Sequence, residues 1–220
     1  MHHTYHVSLC MQHTARLISI TPDAEELVAY CARVSNPANQ NTKETAPRLL
    51  KYLIKHKHWS PFEMVNMVVE IKTTRAISPQ ILRHRSFSFQ EFSQRYAEVQ
   101  SIPKPPSLRR QDVKNRQNSI DDIPLAEQYA WSDQIQEHYQ SAYALYDSLL
   151  ASGVAKECAR EVLPLGSETT LYMNGTLRSW LHYVDLRAAP ETQREHRMIA
   201  ESVKDLIEKE CPAVYEAMWS

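Results

Sequence analysis

Glycine is scarce in this sequence. The chain has 220 residues and only three glycines, Gly153, Gly166 and Gly175. No two of them are close enough to form a GxGxxG motif or a Walker A loop, so the common glycine-rich cradles for dinucleotides and nucleotides are absent. We therefore expect a fold without a Rossmann motif.

The cysteines lack a functional pattern as well. The four of them lie far apart and include no CxxC pair, which disfavours a thiolate zinc site and a thioredoxin-type redox motif. Scattered cysteines in a chain of this size favour a reducing compartment, and we predict that the protein is cytoplasmic.

The sequence has neither an excess of one charge nor a long apolar run. Lys and Arg total 25 and Asp and Glu total 26, which gives a formal net charge of -1. This balance argues against a protein that coats nucleic acid, although it permits a local basic site. No segment is apolar over the length of a membrane span, and the first residues lack the apolar region of a secretory signal. We expect no membrane partner and no nucleic-acid partner.

Residues 1–14 are predicted to form a flexible leader, followed by one domain over residues 15–220. Four histidines lie within the first thirteen residues, so a metal-binding leader is the alternative interpretation.

The apolar pattern predicts helices and strands without regular alternation. Strands are predicted at 15–20, 64–73 and 169–173, and a long surface loop at 101–124, which holds four prolines. One of several amphipathic helices has a core face formed by Leu177, Trp180, Leu181 and Val184. This mixture predicts an α+β fold in which a mostly antiparallel sheet is flanked by several helices.

The segment RHRSFSFQEFSQRY, which begins at Arg83, holds the densest polar chemistry. Residues 89–96 lack helical periodicity. If they are extended, Glu91, Ser93 and Arg95 project to one side, because side chains alternate along a strand. A carboxylate, a hydroxyl and a guanidinium in a row suit a sugar hydroxyl followed by a phosphate. A solvated basic helix end before a charged strand is equally compatible with the pattern.

Two further polar sets lie elsewhere in the chain. One predicted helix carries a polar stripe opposite its core face, which could face a ligand, formed by Arg178, His182 and Asp185. His56 and His58 are separated by one residue and could chelate a metal. Because no HExxH motif and no further His or Cys at ligand spacing follows, a polar cofactor contact or a structural histidine is favoured and no metal is predicted.

Together these segments resemble the flavin-dependent thymidylate synthases. The family signature is RHR, then a short gap, then Glu, Ser and Arg-Tyr; it is matched by Arg83-His84-Arg85, Glu91, Ser93 and Arg95-Tyr96. Three further blocks also resemble the family: KHKHWSPFE around His58, KECAREVLPL around Arg160 and YVDLR ending at Arg187. The resemblance covers the chain from about Arg16 onward and implies reductive methylation of dUMP to dTMP.

The resemblance also implies ligands and a partner. FAD is the implied cofactor, NADPH its reductant and methylenetetrahydrofolate the one-carbon donor. The residues implied to bind FAD are His58, Ser60, Glu63, Arg83, His84, Arg85, Glu91, Arg178 and His182. Those implied to bind dUMP are Gln80, Arg83, Glu91, Phe92, Ser93, Gln94, Arg95, Arg160 and Arg187. The family forms homotetramers in which different chains build each site.

Arg187 is the predicted catalytic residue. Carbon 5 of uracil is a weak nucleophile, and a guanidinium beside N3 and the carbonyl oxygens would stabilise negative charge as it develops on the ring. No cysteine lies within the signature, so we expect no covalent cysteine nucleophile.

Two other classes of function stay open at this point. One is a nucleotide- or RNA-binding module that uses the RHR cluster and the basic loop Arg109–Arg116. The other is a histidine-ligated metal hydrolase.

Overall fold

The computed structural model of the chain describes residues 13–220, which contain six β-strands and eight α-helices. The strands are Thr14–Ile20 (β1), Asn66–Thr74 (β2), Ser88–Glu91 (β3), Arg110–Gln111 (β4), Ser119–Ile120 (β5) and Glu168–Thr176 (β6). The helices are Ala24–Ala32 (α1), Ala46–Lys55 (α2), Ser78–Ile81 (α3), Leu125–Ala151 (α4), Lys156–Ala159 (α5), Leu177–Arg187 (α6), Arg194–Glu210 (α7) and Pro212–Trp219 (α8). Residues 1–12 of the predicted leader lie outside the described residues. Within residues 13–220, no helix is long and apolar enough to cross a membrane.

Four of the strands form one sheet, in the order β1-β2-β6-β3. The β1–β2 pair is antiparallel: Thr21 N–H donates to the Asn66 carbonyl at 3.0 Å at one end, and the His13 ring lies 2.9 Å from Thr73 Oγ1 at the other. The predicted α+β fold, an antiparallel sheet flanked by helices, is confirmed.

β6 alternates buried and exposed side chains, as expected for a strand with one face on a core. Leu171, Met173 and Gly175 are buried, whereas Asn174 is exposed. A Cβ atom at Gly175 would lie 2.4 Å from Cδ1 of Phe87. Glycine is therefore required at this position because an aromatic ring approaches the backbone closely.

The chain divides into two compact units. Among the described residues, the first unit consists of residue 13, residues 72–79 and residues 91–170, and the second unit consists of residues 14–71, 80–90 and 171–220. The single domain expected over residues 15–220 stays a prediction.

The core of the first unit forms around the tyrosine face of α4. Tyr143 and Tyr146 are buried there with Val99 and Ala159. Tyr143 Oη donates to Ser167 Oγ at 3.2 Å, and Val99 N–H donates to Tyr146 Oη at 3.3 Å. The predicted loop over residues 101–124 contains the short antiparallel pair β4–β5. After α4, the short helix α5 gives way to a 3₁₀ turn at Arg160–Val162.

In the second unit, α6 buries the predicted core face of Leu177, Trp180, Leu181 and Val184. Trp180 Nε1 donates to the Met67 carbonyl of β2 at 3.0 Å, and α7 packs on β1, α6 and α8. Thr176 caps α6, since its side chain accepts from Ser179 N–H at 3.2 Å. The cap and the buried indole together fix where α6 begins and which face it turns to the sheet.

We expect Gly175→Ala to destabilise the protein by about 1–3 kcal/mol, because the added methyl group overpacks a filled core. Phe87 cannot yield freely, since its ring lies edge-on to Trp180 with centroids 4.8 Å apart. Urea-induced unfolding measures the change. Asn174→Ala, at the neighbouring exposed position of β6, is the matched control and should change stability by less than about 0.5 kcal/mol. Equal unfolding midpoints for the two variants would contradict the packing argument.

Candidate functional site

Arg187, the last residue of α6, contacts the RHR segment within the second unit. Its Nε donates to Nε2 of His84 at 2.9 Å. The imidazole accepts this hydrogen bond, so His84 is neutral there. Burial, and then the positive charge of Arg187, lower the pKa of His84 to about 4. The structure therefore joins two predicted site residues that lie far apart in the sequence.

Two buried residues that the sequence analysis missed flank His84. The Tyr183 ring lies edge-on to His84 with centroids 4.9 Å apart, and the His196 ring is 6.1 Å away. Tyr183 Oη lies 3.1 Å from Nε2 of His196. Burial, then Arg187 and His84, lower the pKa of His196 to about 3. Helical spacing could have indicated both, because Tyr183 follows Trp180 by three positions and His196 precedes Ile199 by three.

α6 also contacts the 3₁₀ turn Ser60–Met64 through the predicted polar stripe. Arg178 forms an ion pair with Glu63, which brings two residues of the predicted FAD set together. His182 lies edge-on to Trp59 with ring centroids 4.9 Å apart. Burial, and then the charge of Arg178, lower the pKa of His182. Trp59 is a further residue that sequence reasoning did not single out.

Lys57 directs the chain from α2 towards His58. Its φ of 57° lies in the left-handed region, which favours glycine and costs other residues on the order of 1–2 kcal/mol. Lys57 N–H donates to the Ile54 carbonyl at 3.0 Å and His58 N–H to the Leu53 carbonyl at 2.8 Å. These two bonds form the Schellman arrangement that ends many helices. The backbone thus holds His58 in the short link between α2 and the turn that begins at Ser60.

His56 and His58 do not belong to a larger group of metal ligands in the described part of the chain. Their ring centroids are 6.1 Å apart, and Tyr52 lies 4.3 Å from the His56 ring. Across residues 13–220, no three His, Cys, Asp or Glu side chains are placed together to hold a metal ion. The arrangement is an exposed aromatic cluster.

Arg83 and Arg85 offer exposed guanidinium groups on either side of His84. Neither has a carboxylate partner among the residues that the structure describes. Gln80, one turn before them, donates through Nε2 to Oε1 of Gln193 at 2.7 Å. Guanidinium groups bind phosphate oxygens in bidentate fashion, so this donor set fits the pyrophosphate of a dinucleotide such as FAD.

Glu91 is held by partners within the first unit. Its Oε1 accepts from Ser78 Oγ at 2.7 Å and from Thr169 Oγ1 at 2.9 Å, and it pairs with Arg75 at 3.0 Å. Arg75 also donates to the Phe92 carbonyl at 2.6 Å. These contacts fix the end of β3 and leave Oε2 of Glu91 for any ligand.

The extended conformation expected over residues 89–96 is wrong beyond Glu91. β3 ends there, and the N–H groups of Tyr96 and Ala97 both donate to the Ser93 carbonyl at 3.1 Å. The chain therefore turns, and alternation does not place Arg95 beside Ser93. Gln94 in this turn is buried, and its Nε2 has no hydrogen-bond partner among the described residues.

Arg95 and Arg160 both contact Glu157 in the first unit. Arg95 Nε lies 3.3 Å from Oε2 of Glu157, and Arg160 Nε donates to the Glu157 carbonyl at 3.3 Å. The structure thus brings together two cations of the predicted dUMP set. Sequence reasoning missed Glu157, although it lies three positions before Arg160.

The chain matches known proteins over most of its length. The family model described as thymidylate synthase complementing protein matches residues 16–213. A probable flavin-dependent thymidylate synthase of Paramecium bursaria Chlorella virus 1 is 51% identical over 212 residues, which cover 93% of this chain and 98% of that relative. A flavin-dependent thymidylate synthase of Synechocystis sp. is 51% identical over 195 residues, 88% of this chain and 89% of the relative.

A solved structure also matches. The UMP/dUMP methylase PolB of Streptomyces cacaoi, bound with 5-Br dUMP, superposes with a TM-score of 0.82 at 28% identity and covers 94% of both chains. The structural match agrees with the mixed fold of helices and an antiparallel sheet. The chain belongs to the family of flavin-dependent thymidylate synthases.

Proposed function

We propose that the protein catalyses the reductive methylation of dUMP to dTMP. The observation that carries the proposal is the hydrogen bond between Arg187 and His84, which joins the residue assigned to uracil to the segment assigned to the flavin. The family match supports the same reaction. The alternative of an RNA-binding module on the RHR cluster has no comparable support, because the relatives named above are synthases.

Arg187 has a hydrogen-bond partner that carries no negative charge. Its partner His84 is a neutral imidazole, whereas a carboxylate would cancel the charge. A guanidinium held in this way would stabilise the negative charge that the uracil ring must carry for carbon 5 to act as a nucleophile towards the one-carbon unit. Arg187 is the proposed catalytic residue for this reason.

The cysteines support a reaction without a covalent thiolate. Burial raises the pKa of the Cys211 thiol to about 12, so it is protonated and inert near neutral pH. Cys31 is partly buried in α1 and Cys158 is exposed on α5; neither lies in the RHR segment. Cys10 lies outside the described residues.

FAD supplies hydride chemistry when it is bound. We assign its binding to the residues implied by the resemblance: His58, Ser60, Glu63, Arg83, His84, Arg85, Glu91, Arg178 and His182. The guanidinium groups of Arg83 and Arg85, which have no carboxylate partner within residues 13–220, support contacts to phosphate. The Arg178–Glu63 ion pair holds the polar stripe of α6 against the turn that carries Ser60.

We assign dUMP to Gln80, Arg83, Glu91, Phe92, Ser93, Gln94, Arg95, Arg160 and Arg187. The proximity of Arg95 and Arg160 supports a phosphate site, because the two guanidinium groups outnumber the one carboxylate of Glu157, the residue that both contact. The buried and unsatisfied Nε2 of Gln94 supports a ligand contact as well, since buried donors are normally paired.

The remaining participants follow from the family resemblance. We propose NADPH as the reductant of FAD and methylenetetrahydrofolate as the one-carbon donor. We also propose a homotetramer with sites shared between chains, in the cytoplasm.

The first test is FAD binding. We expect the folded protein to retain FAD or to bind added FAD, and Arg83→Ala with Arg85→Ala to weaken binding at least tenfold, because charge-assisted contacts to phosphate are lost. Heat release followed by chromatography measures the FAD that the protein retains. Titration monitored by flavin fluorescence measures the affinity for added FAD. Arg48→Ala, at an exposed arginine of α2, is the control and should bind FAD as the wild type does. Folded wild-type protein with no affinity for FAD would refute the cofactor assignment.

The second test concerns the phosphate of dUMP. Arg95→Ala should weaken dUMP binding by about 1.5–3 kcal/mol, the usual range for a hydrogen bond to a charged group. Equilibrium titration with dUMP measures the affinity. Arg110→Ala removes an arginine of similar exposure, which pairs with Asp122 at 3.0 Å, and should leave the affinity within twofold. Unchanged affinity in Arg95→Ala would show that this residue does not anchor the phosphate.

The third test concerns Arg187. We expect Arg187→Ala to slow dTMP formation by on the order of 10²–10³, as for other donors that act on developing charge. Arg187→Lys should recover only part of the rate, because a point charge does not reproduce the planar fork. Single-turnover kinetics measures the rate of dTMP formation. The flavin content, measured in parallel, shows whether a slower rate results from less bound flavin. If Arg187→Ala forms dTMP at the wild-type rate, a group other than Arg187 activates the uracil ring.

A further inference from the structure

His196 is a polar side chain in a fully buried place. It has no exposed surface, and its Nδ1 has no hydrogen-bond partner within residues 13–220. Among the residues that the structure describes, its ring forms a hydrogen bond between Nε2 and Tyr183 Oη, at 3.1 Å. An apolar side chain would fill this place without leaving a buried nitrogen unsatisfied. The contribution of the imidazole therefore lies in what it does to Tyr183.

Tyr183 in turn packs against His84. It is 1% exposed, and its ring meets His84 nearly at a right angle, with an interplanar angle of 79°. The His196 ring also stands at 84° to His84, and the Phe87 ring stands at 86° to it with centroids 6.4 Å apart. Three rings thus confine the His84 imidazole edge-on, which fixes the direction of Nε2.

The direction of Nε2 sets the position of Arg187. The guanidinium is tied to His84 through Nε, so a rotation of the imidazole would break this bond or move the guanidinium with it. Small displacements of a positioned charge cost large factors in rate.

We propose that Tyr183 and His196 are positioning residues for Arg187. Their hydrogen-bonded pair holds the ring of His84, and His84 holds the guanidinium at the place where charge develops on the substrate. This inference rests on the proposed function, in which Arg187 acts on dUMP. Neither Tyr183 nor His196 touches substrate in this scheme, and both act through His84.

A double-mutant cycle tests the coupling. Tyr183→Phe keeps the ring and removes the hydroxyl group. We expect it to lower kcat/KM for dTMP formation about tenfold in the wild-type background and less than twofold in the Arg187→Lys background, since the group being positioned is already changed. The same factor in both backgrounds would overturn the proposal.

Tyr143→Phe is the matched control. Tyr143 is 3% exposed, and its hydroxyl group donates a hydrogen bond to Ser167 in the first unit. The substitution therefore removes one buried hydrogen bond that does not involve His84. We expect this variant to change kcat/KM by the same factor in both backgrounds. Coupling of equal size for Tyr143→Phe and Tyr183→Phe would mean that general destabilisation produces the effect, and would overturn the proposal.

His196 provides a rescue experiment. His196→Leu removes the partner of Tyr183 and should reproduce the loss seen in Tyr183→Phe. His196→Gln places an amide near the position of Nε2, where it can bond the hydroxyl group, and should keep kcat/KM within about threefold of the wild type. An equal loss of kcat/KM in His196→Leu and His196→Gln would overturn the proposal.

Nitrogen NMR of the His84 imidazole in the full chain gives a readout that does not depend on turnover. In the wild type and in His196→Gln, we expect the chemical shift of His84 Nε2 to be that of a nitrogen that accepts a hydrogen bond. In Tyr183→Phe and His196→Leu, we expect this chemical shift to differ from the wild-type value. An identical His84 signal in all four proteins would overturn the positioning role. A wild-type protein that forms no dTMP would refute the proposed function, and the NMR comparison would then decide the positioning role by itself.

Discussion

The candidate site depends on one hydrogen bond, from Arg187 to a neutral His84. α6 delivers the arginine, because Trp180 fixes the helix to β2 and Thr176 fixes its start. Burial keeps His84 neutral, with a pKa of about 4, so the imidazole accepts the bond without cancelling the charge of the guanidinium. A binding site for an anionic transition state needs this combination of a fixed position and an uncompensated charge.

The spacing of apolar residues predicted those helices and strands whose buried face follows from the local sequence. All four residues predicted for the core face of α6 are buried, since a 3.6-residue repeat reports directly which side of a helix is covered, although Tyr183 on the same helix was missed. The strands β1, β2 and β6 were predicted within a few residues for the same reason. The order β1-β2-β6-β3 was not predictable in this way, because it depends on pairing between segments far apart in the chain.

Distant contacts decide the local structure in the segments where the predicted structure is wrong. β3 ends at Glu91, which is held by Arg75, Ser78 and Thr169, and no pattern within residues 89–96 reveals those contacts. α8 was not predicted at all, because Cys211 and Pro212 look like the end of a helix rather than the junction of two. His196 was overlooked for a related reason: a lone histidine on an apolar face gains meaning only from what it contacts.

The contact between α1 and α8 bears on the order in which the chain folds. Val214 N–H donates to Oε1 of Glu25 at 2.8 Å, across 189 residues of sequence, and α2 packs on α8 as well. During synthesis, α1 and α2 leave the ribosome long before their partner exists. The surface of α2 that α8 covers therefore stays open until α8 emerges. The second unit is therefore completed only after translation of its last helix.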